Sequence, residues 1–115
     1  MAVARLARVP SRGDVVLVEL DPTRGSEIRK TRPCLIVSPD ELNHHLRTVI
    51  VAPMTTGGHA YPFRPVCRFG GKDGRVALDQ LRTVDRERVR KRLGVLSAGN
   101  LTTVFTVLAD MFEFS

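Results

Sequence analysis

Apolar residues in this chain come in short runs cut by Gly and Pro, and one longer stretch near the end repeats at helical spacing. Ser11-Arg12-Gly13 leads into Asp14 to Leu20, rich in Val and Leu, which predicts a buried or half-buried strand. Asp21-Pro22 ends it, because proline has no N–H for a sheet ladder. A polar loop from Thr23 to Thr31 follows, and two further strands are expected over Pro33 to Ser38 and Thr48 to Met54. Between those two, Pro39 to Asn43 reads as a single helical turn, with Ser38 available as its cap.

Beyond Gly57-Gly58, alternation puts Phe63, Pro65, Cys67 and Phe69 on one face of a strand and Arg64 and Arg68 on the other. Gly70 to Gly74 is expected to connect a hairpin whose return strand runs from Arg75 to Val84. Asp85 to Arg92 reads as a short helix or turn, and Arg92 to Leu96 as an edge strand. Ser97 then caps a helix in which Leu101, Val104, Phe105, Leu108, Met111 and Phe112 recur at three- and four-residue steps, a stripe expected to pack on the core. The expected fold is mainly β: a small, strongly curved barrel with short helices and a C-terminal α-helix. Residues 1–11 are expected to form a flexible N-terminal extension and residues 12–115 a single domain. A domain of 115 residues buries a limited core, so dimerisation would help stabilise it.

Composition narrows the class. With 43% hydrophobic and 26% charged residues, the chain is a foldable domain rather than a disordered tail. Its apolar runs are too short to span a bilayer, and Arg5 and Arg8 break the stretch before Pro10, so a cytoplasmic protein with no membrane partner is expected. Cys34 and Cys67 sit in apolar strand-like segments and are expected to be reduced core residues. No Cys-x-x-Cys or His-x-x-x-His spacing occurs, and His44, His45 and His59 fall in turn-like segments, so no metal and no cofactor are expected.

Charge carries the first functional hint. Eighteen basic residues against twelve acidic ones give a net +6, which favours a polyanionic partner. All but Lys30, Lys72 and Lys91 of the basic residues are arginine, whose fork suits phosphate oxygens; a GC-rich genome would also favour Arg over Lys. Two windows concentrate the excess: Arg24 to Arg32 at +3 and Arg82 to Arg92 at +4. In the first, Arg24, Arg29, Lys30 and Arg32 surround a flexible Gly25-Ser26 turn and Glu27. Such a loop can wrap a phosphodiester or simply be solvated. Pro33 biases Arg32 toward extended geometry at the mouth of a strand. The second window could extend a nucleic-acid track, receive an acidic partner, or only keep the protein soluble. Tyr61 and Phe63 could stack on bases or plug the barrel end.

The ordered set Arg12-Gly13-Asp14-Val15-Val16, Asp21-Pro22-Thr23, Gly25-Ser26-Glu27, Arg32-Pro33, Ile36-Val37-Ser38-Pro39, Asn43, Val49 to Thr56 and Asp79 to Val84 resembles the MazF/PemK toxin family, over nearly the whole chain from Arg12 onward. The resemblance implies an SH3-like β-barrel that dimerises, cleaves single-stranded RNA (messenger RNA above all) without a metal, and is neutralised by a cognate antitoxin with an acidic C-terminal segment. It implies attack of the RNA's own 2′-hydroxyl on the adjacent phosphate, leaving a 2′,3′-cyclic phosphate and a 5′-hydroxyl. By the same resemblance Arg32 and Thr55 are expected catalytic residues and Ser26 and Glu27 loop contacts of the reacting nucleotide; Glu27 joins the expected catalytic set on chemical grounds. Ser26, Arg24, Arg29, Lys30, Thr56, Asp79, Gln80 and Arg82 are the expected RNA contacts.

The chemistry needs a proton acceptor for the 2′-hydroxyl, a donor for the leaving oxygen, and donors for the charge on phosphorus. Arg32 suits charge stabilisation better than proton abstraction, since guanidinium pKa values lie above about 12. Glu27 or Asp79 is the chemically easier base; Asp79 could instead pair with Arg75 or Arg82. Some relatives carry a catalytic arginine where this chain has Ala77 and a loop histidine where it has Ser26, so the version centred on Arg32 and Thr55 fits better. Two other readings are a same-fold toxin that poisons DNA gyrase, disfavoured by the absence of Trp, and a non-catalytic SH3-like binding module.

Overall fold

The computed structural model describes residues 9 to 114; the first eight residues of the expected N-terminal extension lie outside the described residues. Seven antiparallel strands form one sheet: β1 (Asp14–Glu19), β2 (Thr31–Ile36), β3 (Thr48–Thr55), β4 (Val66–Phe69), β5 (Lys72–Val76), β6 (Arg82–Asp85) and β7 (Val89–Val95). Their order is β4-β5-β3-β2-β1-β7, with β6 paired to the first half of β3. Helix α1 (Asp40–His45) bridges β2 and β3, and α2 (Ala98–Met111) closes the chain.

The continuous apolar runs are explained by burial on both faces of the sheet. Side chains alternate along a strand, so Val15, Leu35 and Ala52 enter one core, with Leu101, Phe105 and Leu108 of α2 packed against it. Val16, Val18, Cys34, Ile36, Val49 and Val51 enter a second core on the other face, joined by Val84 and Val89. In the central strands β1 to β3 neither face is left to water over most of their length, whereas β4, β5 and β7 keep exposed positions. The sheet curls far enough to bring its two end strands together: a Cβ on Gly94 of β7 would lie 3.0 Å from the Phe69 ring of β4. A side chain at this position would press on the Phe69 ring. The expected curved β-barrel architecture, mainly β with a C-terminal helix, is the one observed.

Several expected boundaries move. β4 begins only at Val66, because Tyr61 to Pro65 turns on an Arg64 N–H bond to the Tyr61 carbonyl. The hairpin connection is Gly70-Gly71 alone; Lys72, Asp73 and Gly74 already belong to β5. The expected return strand is broken into β5, a 3₁₀ turn at Leu78–Gln80, and β6. The break has a cause: β5 pairs with Met54 and Thr55 and β6 with Thr48 to Val51, so the chain must sidestep along β3. In the Arg-rich stretch only Arg86–Arg88 is helical, and β7 starts at Val89.

Ser97 caps α2, its hydroxyl accepting the Asn100 N–H. The apolar stripe outlasts the surface it packs on, and Met111 and Phe112 are exposed. Ser38 does not cap α1, whose N-cap position is held by Pro39 in extended geometry. Its hydroxyl instead donates to Asn43 Oδ1 and accepts from the Ile50 N–H. Fully buried Asn43 also donates to the carbonyls of Pro10 and Ser38, tying residue 10 to α1.

Candidate active site

Arg32 and Thr55 come together where two strand ends lie side by side. The β2–β3 ladder ends at Cys34 opposite Pro53; Arg32 lies two residues before that end on β2, and Thr55 two residues after it on β3, where the strand turns to pair with β5. Both line a cleft of about 230 Å³ formed by Arg32, Pro33, Met54, Thr55, Thr56, Cys67, Phe69, Lys72, Asp73 and Gly74. The strand ends of β2 and β3 supply one part of it, and the β4–β5 hairpin supplies the rest. Gly74 permits the hairpin to sit so close, since a Cβ there would stand 2.8 Å from the Thr55 carbonyl oxygen.

Arg32 is half-buried, and its Nε donates to the Arg29 carbonyl at 3.1 Å. That bond orients the guanidinium and leaves its terminal nitrogens for a ligand. The Thr55 hydroxyl makes only a long 3.4 Å bond to the Gly57 carbonyl, weak enough to give up for a phosphate oxygen. Two buried thiols flank these groups. Cys34 is pushed up to about 12 by burial, although Arg82 and Arg32 pull it down; Cys67 is raised by burial and then by Asp73. Both are free cysteines, as expected for reduced core residues.

The loop joining β1 to β2 is closed at its base by the Leu20 N–H bond to the Lys30 carbonyl and the Lys30 N–H bond to Asp21 Oδ1. Its tip is a small cage: Glu27 Oε1 accepts the Arg24 N–H at 2.6 Å, and Arg29 reaches the Gly25 carbonyl. Arg24, Ser26, Glu27, Arg29 and Lys30 are all exposed there. Ile28 turns inward against the second core, and its N–H donates to Gln80 Oε1 at 3.2 Å.

Of the expected RNA contacts only Thr56 lines the cleft; Arg24, Ser26, Arg29 and Lys30, with the expected catalytic Glu27, lie on the loop outside its lining, and Gln80, Arg82 and Asp79 are engaged elsewhere. Gln80 holds the Ile28 amide. Arg82 donates to the Leu20 carbonyl at the loop base. Asp79 forms a bidentate pair with Arg64 at 2.7 and 2.8 Å, not with Arg75 or Arg82. That hydrogen-bonded pairing holds the Asp79 carboxyl below its ordinary range and raises the Arg64 guanidinium. Arg64 also lies over the Tyr61 ring, which stacks on Phe63 at 5.1 Å. The pair thus braces the segment between β3 and β4.

The second basic window is mostly structural. Arg88 donates to the carbonyls of Glu19 and Asp21, Arg90 pairs with Glu19, and Arg92 pairs with Asp14. These contacts add side-chain bonds along the edge where β7 already pairs with β1 through the backbone. Lys72, in contrast, lines the cleft and was hidden from sequence reading by the assignment of Gly70 to Gly74 to a turn; only the Lys72–Gly74 spacing within a strand could have revealed it.

The sequence model of a family described as PemK-like, MazF-like toxin of type II toxin–antitoxin systems matches residues 11–112. Among curated proteins, the endoribonuclease toxin MazF of Escherichia coli K12 is 36% identical over 76 residues, covering 66% of this chain and 68% of its own length. Escherichia coli endoribonuclease PemK is 36% identical over 111 residues, with coverage of 83% and 81%. The crystal structure of MazF from Deinococcus radiodurans superposes with a TM-score of 0.82 at 28% identity, covering 93% of this chain and 99% of that one. A MazE–MazF structure from the same organism gives 0.75 at 26% identity, covering 94% and 99%. A match running from residue 11 to residue 112 places the chain, with its cleft of Arg32 and Thr55, in the PemK/MazF-like toxin family of type II toxin–antitoxin systems.

Proposed function

We propose that this chain is a sequence-specific endoribonuclease toxin that cuts single-stranded RNA, chiefly messenger RNA, through 2′-hydroxyl attack on the adjacent phosphate. The O2′–P bond forms, the P–O5′ bond breaks, and the products carry a cyclic phosphate and a 5′-hydroxyl. The observation that carries this reading is the shared cleft of Arg32 and Thr55. In it the Arg32 guanidinium faces the phosphate and offsets the charge that builds in the transition state, while the Thr55 hydroxyl donates to a phosphate oxygen. Glu27 is the candidate base. One of its oxygens takes the Arg24 amide, and the other is left to accept the 2′-hydroxyl proton. Asp79 is the weaker candidate because Arg64 occupies both of its oxygens.

Exposed Arg24, Arg29 and Lys30, with Ser26 and Thr56, would contact the RNA beside the reacting phosphate. The reading includes metal-independent cleavage, a cytoplasmic location, a homodimer, and neutralisation by a cognate antitoxin with an acidic C-terminal segment. Exposed Leu93, Val95 and Phe112 are apolar surface that a dimer would cover. Among the described residues no helix is long and apolar enough to cross a membrane.

The test is cleavage of a long RNA in EDTA with the product 5′ ends mapped. Discrete cuts are expected, Arg32→Ala should abolish them while leaving the circular dichroism unchanged, and Thr55→Ala should slow them by about 100-fold. An Arg32→Ala protein with most of the activity would refute the assignment.

A further inference from the structure

The cleft holds a second cation for which the chemistry above has no use. Lys72 lines it, is exposed, and its ammonium has no hydrogen bond or ion pair among the described residues. Its neighbour Asp73 does not neutralise it, since Asp73 is paired with Arg68 at 2.8 Å and Arg68 is pinned again by the Gly71 carbonyl.

The direction of Lys72 follows from the strand. Residues two apart share a face, and Gly74 turns its bare Cα toward the Thr55 carbonyl, so Lys72 leans to the same side. Its cross-strand partner Phe69, and Cys67 opposite Gly74, line the cleft as well. The aliphatic stem can lie along this apolar face while the ammonium stands at the rim. It stands two positions from Gly74 on β5, or about 7 Å along the strand. The charge therefore sits one step away from the Arg32–Thr55 pair rather than on top of it.

We infer that Lys72 is an anchor for a backbone phosphate next to the one that reacts, so that the cleft grips two successive phosphates of a single strand. Arg32 and Thr55 hold the phosphate undergoing attack; Lys72 holds its neighbour and sets which bond lies at Arg32. The inference rests on the endoribonuclease reading of the same cleft. A lysine suits the task, because a compact ammonium on a flexible stem binds phosphate as a point charge without demanding one geometry. It adds ground-state grip, and its removal should appear in affinity rather than in the chemical step.

The experiment pairs cleavage kinetics with equilibrium binding of a fluorescein-labelled, fully 2′-O-methylated single-stranded RNA, which has no attacking hydroxyl, across a KCl series. Lys72→Gln is expected to weaken binding and raise KM by roughly 3- to 10-fold at low salt. It should also flatten the plot of log affinity against log salt by about 0.7, the value for one lost phosphate contact on a single strand. Lys72→Arg should restore both. Lys91→Gln removes the same charge from exposed β7 and should leave the slope as in the parent. The inference is overturned if Lys72→Gln keeps the parent slope, if Lys91→Gln flattens it equally, or if Lys72→Gln lowers kcat while KM stays fixed. Failure of the nuclease reading looks different: neither parent nor Arg32→Ala protein cuts RNA, or both do, while the binding slopes still report on Lys72.

Discussion

Replacing Gly74 by Ala adds one methyl group at the point where the β4–β5 hairpin meets the strand end that carries Thr55. The new Cβ would stand 2.8 Å from the Thr55 carbonyl oxygen, whereas ordinary contact begins near 3.4 Å, so something must give by about 0.6 Å. The opposing atom is backbone and cannot rotate away. Glycine-to-alanine in a strand gains about 0.5–1 kcal/mol of backbone entropy. Overpacking costs typically 1–3 kcal/mol, so the net expectation is a loss of about 1–2 kcal/mol. In a domain this small that corresponds to a fall in Tm of about 4–8 °C. Because the displaced group belongs to Thr55, cleavage should fall with stability, by about 10-fold where a full 1 Å misplacement would cost about 100-fold.

Gly57→Ala is the matched control two residues from Thr55. Nothing lies within 4 Å of its Cβ, and it should be neutral or gain about 0.4–1 kcal/mol. Urea unfolding and single-turnover cleavage of both variants read the two effects. A Gly74→Ala protein as stable and as active as the parent would refute the close approach, and with it the placement of the hairpin on the site.

Asn43→Ala should cost about 3–5 kcal/mol in urea unfolding, because the carbonyls of Pro10 and Ser38 and the Ser38 hydroxyl all lose their buried partner; a cost below about 1 kcal/mol counts against the network. Asp79 has a carboxyl lowered chiefly by Arg64, so its stabilisation is complete above the ordinary carboxyl range and is lost as pH falls through the lowered value. Asp79→Asn should therefore be less stable than the parent at neutral pH, with the gap closing below about pH 4; a gap of equal size at both would show that the ion pair contributes nothing.

What could be read ahead of the structure was whatever depends on local period and local chemistry. The runs around Val15, Leu35 and Val51 announce strands, Ser97 announces the start of α2, and Arg32-Pro33 announces an arginine at a strand mouth. What stayed hidden depends on pairing between distant segments. Nothing local in Arg75 to Val84 says that two different halves of β3 must be matched, yet that requirement breaks the run into β5, a turn and β6. Asp79 has Arg75 and Arg82 four and three residues away, and it chose Arg64, fifteen residues back, because the turn at Leu78–Gln80 lays it against the β3–β4 segment.

The same distinction decides what the net charge means. Counted along the chain, the window from Arg82 to Arg92 is the more basic of the two and would be the first place to seat an anion. Counted in space, Arg82, Arg88, Arg90 and Arg92 are committed to the carbonyls and carboxylates of Leu20, Glu19, Asp21 and Asp14. Each of these guanidiniums spends one nitrogen on that contact, which directs it along the β1–β7 edge, and none of the four lines the cleft. The cations of the cleft are instead Arg32, whose terminal nitrogens are left for a ligand, and Lys72, a residue that belongs to neither basic window. The net charge draws a polyanion to the whole molecule, and the few cations that line the cleft decide where it is seated, so Lys72 should matter more to binding there than the arginines outside it.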